Sequence, residues 1–398
     1  MLKDTRIKET SLADYIAMVV IFLMAIGTVF VFSAAANLTQ KLDLQKIYNL
    51  PSLRQILFFP LACLILYSVS HIDYHRFSLE KGWFKSPIVY LLILAVTLLI
   101  IVLIPHLGTE INRARRWLRI PLGPLSISFQ PSELAKWATI IMLAAVGAKI
   151  GSDIRIYCKR FIPICCIIGV VVALIVVEDF GTAAFIAMVS FLLLIAAGVK
   201  LWHLLTLLPV GIVGFFVELL RSQHRLERLA AFLEPDRWSD SIAYQANQSL
   251  VALGSGGLWG KGLGRGICKY GHLPEDTTDF VFAIIGEELG FVGNVVVIGL
   301  FIVFICLGIV VILRCKERFG RLLAGGIVLT IGIQAALNIG VVTVVLPTKG
   351  IPLPFVSAGG TSMLLSSAAV GVLLNIAKQT EQAFRRIEND VSCESAET

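Results

Sequence analysis

Apolar runs long enough to cross a lipid bilayer recur along nearly the whole chain, at residues 15–35, 55–70, 86–104, 132–148, 161–177, 183–197, 204–220, 280–313, 322–339 and 362–376. At roughly 20 residues per transmembrane helix, ten spans consume about half of the 398 residues. Backbone in hydrocarbon must satisfy its own hydrogen bonds, so such runs are read as helices. Composition agrees, with 57% apolar and 15% charged residues, against about 45–50% and about 25% in a soluble domain. The expected fold class is all-α, a polytopic membrane protein of about ten transmembrane helices. Cytosolic enzymes, nucleic-acid binders and secreted disulfide scaffolds drop out. The net charge of +7 is assigned to loops near lipid head groups rather than to nucleic acid. The eight cysteines show no zinc-type spacing. Lys3, Arg6 and Lys8 precede a first run too long for a signal peptide, which is read as a retained helix.

Orientation follows from the basic residues. With the amino terminus inside, the inner segments hold 18 Lys and Arg in 77 residues and the outer ones 15 in 132, about half the density. Both termini are therefore expected in the cytoplasm, as tails 1–14 and 377–398 flanking one transmembrane domain, 15–376. The longest external loop, 221–279, joins helices 7 and 8 and contains an amphipathic stretch, Arg221 to Glu234, expected along the membrane surface. The eighth run is too long for one span. Its first part, with Glu287 and Glu288, is expected in the loop or at the interface.

The polar residues that interrupt this pattern are the candidates for chemistry. Arg113, Arg115, Arg116 and Arg119 fall within seven residues of an outer segment, against the charge rule, with Trp117 among them. Guanidinium groups bind phosphate oxygens bidentately, so a phosphate or pyrophosphate site is weighed against a loop resting on anionic lipid. Downstream, Glu133 and Lys136 lie three apart at the start of a helix, on one face directed into the bundle, as a substrate contact or a mutual ion pair. Glu178-Asp179-Phe180-Gly181-Thr182 is a tight turn in which Asp179 is favoured as a helix cap over a metal or substrate ligand. Residues 254–266, rich in glycine and basic, lack the pattern of a nucleotide P-loop; a cationic loop around an anionic ligand and a plain mobile loop both fit. In the run 273–280, Glu275, Asp276 and Asp279 precede the plunge into lipid. A carboxylate at the edge of a low-dielectric region has a raised proton affinity, which suits Asp279 to a general base, with N-capping the alternative. Glu287 and Glu288 would keep that site polar. The run 346–362 packs three prolines and three glycines around Lys349 and Ser357, a re-entrant connector or the lining of a cavity.

Taken together, six segments resemble the SEDS family of shape, elongation, division and sporulation proteins (FtsW/RodA/SpoVE): Arg115-Arg116-Trp117, Gln130 to Lys136, Asp179 to Thr182, Gly254 to Gly262, Leu273 to Glu288, and Pro347 to Ser362. The resemblance implies a ten-helix polymerase that joins lipid II disaccharides into peptidoglycan on the outer face of the bacterial cytoplasmic membrane. It places the family's essential aspartate on Asp279, and Pro347 to Gly350 looks more like the division branch. The chain departs from the family pattern at Val177-Glu178, Thr277 and Ala358.

The expected chemistry is an inverting glycosyl transfer with Asp279 as base. Arg115, Arg116, Trp117, Lys136, Lys349 and Ser357 are the substrate-binding candidates, supported by Glu133, Asp179, Glu287 and Glu288. No metal-ligand cluster is evident, which leaves a divalent cation, Mg or Mn, open. Expected partners are lipid II, the polyprenyl-pyrophosphate glycan strand, a class B penicillin-binding protein, other division or elongation proteins, and membrane lipid. The competing readings are a lipid II flippase and a non-catalytic division scaffold.

Overall fold

A computed structural model describes residues 11–35, 51–111, 114–122, 125–221, 223–238, 243–269 and 277–397. Each predicted apolar run falls on helix: α1 (Leu12–Ala35), α2 (Pro51–Val69), α3 (Pro87–Leu103), α4 (Pro131–Ile150), α5 (Ile162–Val176), α6 (Phe180–Ala196), α7 (Leu201–Leu205) with α8 (Leu208–Arg221), α11 (Val281–Arg314), α12 (Arg318–Val342) and α13 (Gly360–Glu397). Two further helices, α9 (Gln223–Leu233) and α10 (Tyr244–Ser255), lie in the predicted long loop. Among the described residues, six helices are long and apolar enough to cross a membrane, and shorter apolar helices accompany them. Helix α13 continues through residues read from sequence as a tail.

The predominantly helical fold carries one small addition, a three-stranded antiparallel sheet in order β1-β2-β3, with β1 Thr109–Ile111, β2 Ala114–Leu122 and β3 Leu125–Phe129. The alternation Leu125-Ser126-Ile127-Ser128-Phe129 is the sequence signal for β3. Arginine alternation along β2 has a consequence for the site, because adjacent side chains point to opposite faces.

Helix α4 is the centre of the bundle, buried from Pro131 to Gly147. Small residues let its neighbours approach. A methyl group on Gly147 would lie 3.1 Å from Ala197 and 3.2 Å from Leu322, and one on Gly326 of α12 would lie 2.7 Å from Ile140. In lipid such close packing supplies the association that burial from water supplies elsewhere. Leu353, Phe355 and Val356 of the connector between α12 and α13 are also buried, and the connector penetrates far enough that a side chain on Gly27 of α1 would overlap the Val356 carbonyl.

Helix α11 is broken at Gly290 (φ 69°, ψ −163°), and Glu287 and Glu288 sit in the buried helical segment before the break rather than in a loop. The break frees backbone groups, and the glycine-rich segment satisfies them. Lys261 and Gly262 N–H donate to the Glu287 and Glu288 carbonyls at 3.0 Å each, and Phe291 N–H donates to the Gly257 carbonyl at 2.9 Å. Neither Gly260 (φ 79°) nor Gly290 has room for a side chain where these backbones meet. The segment is thus a brace on α11.

A latch closes the other end of the bundle. His75 Nδ1 lies 2.7 Å from Asp73 and Nε2 2.6 Å from Glu317, and Gln379 of α13 donates to Asp73 at 2.9 Å. Only an imidazolium donates from both ring nitrogens. Burial pushes His75 down, but the two carboxylates more than reverse this and raise it above its ordinary 6.5. Burial pushes Asp73 up, and hydrogen bonds from Gln379 and His75 overcome that to hold it at about 2, below 3.8. The His75 contribution to stability is therefore complete below pH 6.5 and lost as pH rises through its raised value, while that of Asp73 is complete above pH 3.8 and lost towards pH 2. Thermal unfolding of wild type and His75→Gln should differ most near pH 6 and converge in alkali; a pH-independent difference would contradict the latch.

Candidate active site

Asp279 ends the turn 277–279, directly before α11, and its backbone is pinned from two sides. Asn338 of α12 donates through one amide nitrogen to both the Asp279 and Ile351 carbonyls, each at 2.8 Å, and Ala358 N–H donates to the Thr277 carbonyl at 2.9 Å. The aspartate and the connector are thereby held as one unit. Gly350 lies under the carboxylate: a methyl group there would come within 2.8 Å of Asp279 Oδ2.

Beside it, the segment Asp179-Phe180-Gly181-Thr182 acts residue by residue. Asp179 caps α6, accepting from Thr182 N–H at 3.0 Å and from its hydroxyl at 2.9 Å, as the sequence favoured. The Phe180 ring has Lys349 Nζ and the Arg225 guanidinium each 5.3 Å from its centroid, on a face that attracts cations. Gly181 leaves room for the Lys349 chain, whose Cε would overlap any side chain there. Arg116 completes the group, donating from Nε to the Glu178 carbonyl at 2.9 Å, with Nη1 3.6 Å from Asp179 Oδ2.

Two arginines that sequence reasoning passed over join this set. Arg225 and Arg228 are three residues apart, on one face of α9. Arg225 is bound to Glu218 at 2.5 Å. Burial pushes the Arg228 guanidinium below its ordinary value, Arg116 adds to the shift and Asp279 opposes it, which places Arg228 within electrostatic reach of both. Burial likewise lowers Lys349, with Asp179 opposing and Arg225 adding. The signal for these arginines was present as two cations at helical spacing in the amphipathic stretch assigned to the membrane surface.

Other expected residues lie elsewhere. Arg115 faces away from Arg116, 3.5 Å from Glu110 across the sheet, and its N–H donates to the Glu178 carboxylate at 2.7 Å. Trp117 shares the Arg115 alternation and pairs with Thr109. Lys136 is 1% exposed, its ammonium taken up by Glu133 at 2.8 Å and Gln334 at 3.0 Å. Glu133 also accepts from Ser362 at 2.8 Å, and Gln334 donates to the Pro352 carbonyl at 3.0 Å. This network ties Lys136 to the connector, and the mutual ion pair weighed in the sequence is the contact the structure forms. Ser357 is buried, and its hydroxyl accepts from Leu353 N–H at 2.8 Å, a staple within the connector.

Glu287 accepts from Lys261 at 2.7 Å and from Ile267 N–H at 2.8 Å; Glu288 accepts from Lys269 at 2.9 Å and from the Ser33 hydroxyl at 2.8 Å. They hold the brace in place just after Asp279. Arg113, Glu275 and Asp276 lie outside the described residues. No three His, Cys, Asp or Glu side chains among the described residues form a group suited to a metal ion.

What remains is the half-buried Asp279 within electrostatic reach of Arg228, which in turn feels Arg116, with Lys349 one residue before the glycine under the carboxylate. Such a site can accept a proton and stabilise an anionic leaving group together. Comparison with known proteins gives the family. The chain is 37% identical to a probable peptidoglycan glycosyltransferase FtsW of Trichlorobacter lovleyi over 93% of its length and 94% of the relative's. It is 35% identical to the stage V sporulation protein E of Bacillus subtilis, over 93% and 98%. A solved structure concerned with coordination of polymerization and crosslinking by a peptidoglycan synthase complex matches with a TM-score of 0.70 at 25% identity, over 92% of this chain and 98% of that one. The rod shape determining protein RodA of Thermus thermophilus matches at 0.61 and 26%, over 91% and 95%. The family model for FtsW, RodA and SpoVE, described as a cell cycle protein, covers residues 13–382, and this chain belongs to that family.

Proposed function

We propose that the protein is a peptidoglycan glycosyltransferase that polymerises lipid II, with Asp279 as its general base. The observation that carries this reading is the Asp279 carboxylate over Gly350 and within electrostatic reach of Arg228, with Arg116 and Lys349 gathered next door around Asp179 and Phe180. The 4-hydroxyl of the acceptor N-acetylglucosamine attacks C1 of the donor N-acetylmuramic acid, and Asp279 takes the hydroxyl proton. The new C1–O bond forms as the bond from C1 to the pyrophosphate breaks, with inversion. Charge grows on the departing polyprenyl pyrophosphate, where preorganised cations stabilise it. Arg116, Lys349 and Arg228 take that role, and Arg225 holds Phe180 and Glu218 around them. The sugar-nucleotide-free donor carries its own activation, so no nucleotide site is required.

The topology goes with it: ten membrane crossings, domain 15–376, both termini cytoplasmic, and the Asp279 site on the outer face. A class B penicillin-binding protein is the proposed partner, since a structural relative concerns a peptidoglycan synthase complex. The division role follows from the FtsW relatives.

The test is glycan synthesis by the purified protein from lipid II, with and without that partner. Arg116→Ala and Lys349→Ala should each raise the lipid II concentration for half-maximal rate by about tenfold, the lower end of a hydrogen bond to a charged group. An unchanged concentration dependence in both would remove the pyrophosphate assignment. Vesicle transport of lipid II without polymer would move the protein to the flippase class.

A further inference from the structure

At the end of the bundle away from Asp279 lies a second basic site. Helix α6 starts at the Asp179 cap and ends at Ala197, and its 17 residues span about 25 Å. Around Ala197 a cavity of about 420 Å³ is lined by Arg155, Arg318 and Arg321 with Gly151, Gly198 and Leu322 among its other walls, and no carboxylate borders it. Arg318 donates through Nη2 to the Gly151 carbonyl at 3.1 Å and the Ala197 carbonyl at 2.7 Å. These carbonyls terminate α4 and α6, where the helix dipole is negative. That interaction occupies one of its three nitrogens. Among the described residues no ion pair joins Arg155, Arg318 or Arg321, and the neighbouring Glu317 is taken by His75 and Tyr74.

Three guanidinium groups around one cavity repel each other, and an anion between them removes the repulsion while offering planar bidentate acceptors. We propose that this cavity binds a phosphate group, that of an anionic phospholipid head group. The segment that lines it leads into Leu201 and Trp202, 62% and 78% exposed, which suits a position at head-group depth. A phosphate there bridges the ends of α4 and α6 to the start of α12, three helices that pack around Gly147 and Gly326. The proposal is independent of the reaction at Asp279 and of which compartment this end faces.

Native mass spectrometry of the full protein released from nanodiscs tests it, comparing phosphatidylglycerol with phosphatidylcholine. Arg155→Gln with Arg321→Gln should lower retained phosphatidylglycerol by roughly fivefold for each guanidinium, about 25-fold together, and leave phosphatidylcholine unchanged. Lys81→Gln with Lys85→Gln removes the same charge from exposed positions outside the cavity and should retain the lipid. In a parallel arm, inorganic phosphate is added to lipid-free protein in detergent and the melting temperature read. A phosphate-dependent rise abolished in the arginine pair, without lipid preference, supports the site and assigns it to a soluble phosphate compound. Equal lipid loss from both double variants, or neither lipid preference nor a phosphate-dependent rise, overturns the proposal. A melting curve for each variant shows whether it has folded.

Discussion

Asp279→Asn protein supplied with lipid II makes glycan strands about 10²–10⁴-fold more slowly than the wild type, the contribution expected of a positioned general base. The substitution keeps size and shape while removing the group that takes the proton. It also keeps the anchor, because Asn338 binds the Asp279 backbone carbonyl and not its carboxylate. The connector contact from Ala358 to Thr277 is likewise backbone. Folding should therefore survive, and a melting temperature near that of the wild type is part of the expected result. Normal polymerisation by this variant would exclude Asp279 from the chemistry, whereas no glycan from the wild type or the variant would favour a scaffold role.

Removing the Glu288 carboxylate gives the second large effect, on stability. Lys269 and Glu288 have side chains 1% and 0% exposed, and Ser33 and the Gly264 carbonyl complete the hydrogen bonding of the lysine. Breaking a buried pair by deleting one partner leaves an uncompensated charge and costs about 3–5 kcal/mol. Glu288→Met should lose that much by denaturant unfolding in detergent. Glu288→Met with Lys269→Met should recover part of it, since neither charge is then buried alone. A single variant as stable as the wild type would show that the pair does not hold the brace on α11. Because Asp279 lies just upstream of this segment, glycan synthesis should fall with stability in the single variant and return in part in the double one.

The recognisable motifs carried their meaning unevenly. Asp179 could be read as a cap because an aspartate at the start of an apolar helix has one dominant use, and the structure gives it that use. Glu133 and Lys136 could be read as a pair because three-residue spacing puts them on one face, yet their partners Gln334 and Ser362 are about 200 residues away in sequence and leave no local mark. Arg115 and Arg116 are indistinguishable in sequence. Only their alternation on a strand separates them, and that strand was hidden between two helical runs. Arg225 and Arg228 looked like the polar face of a surface helix, since periodicity reports which residues share a face but not what that face meets.

The chain alone determined that this is a helical membrane protein, because apolar length and charge density are local quantities summed along the backbone. It also singled out the aspartate before the eighth run, since a carboxylate at the edge of lipid is costly without a purpose. Which cations gather beside Asp179 and reach towards Asp279 through Arg228 was decided only in three dimensions. Arg116, Arg228 and Lys349 come from a strand, a loop helix and a re-entrant connector, and their charges act through space, where distance along the chain has no bearing on distance between atoms.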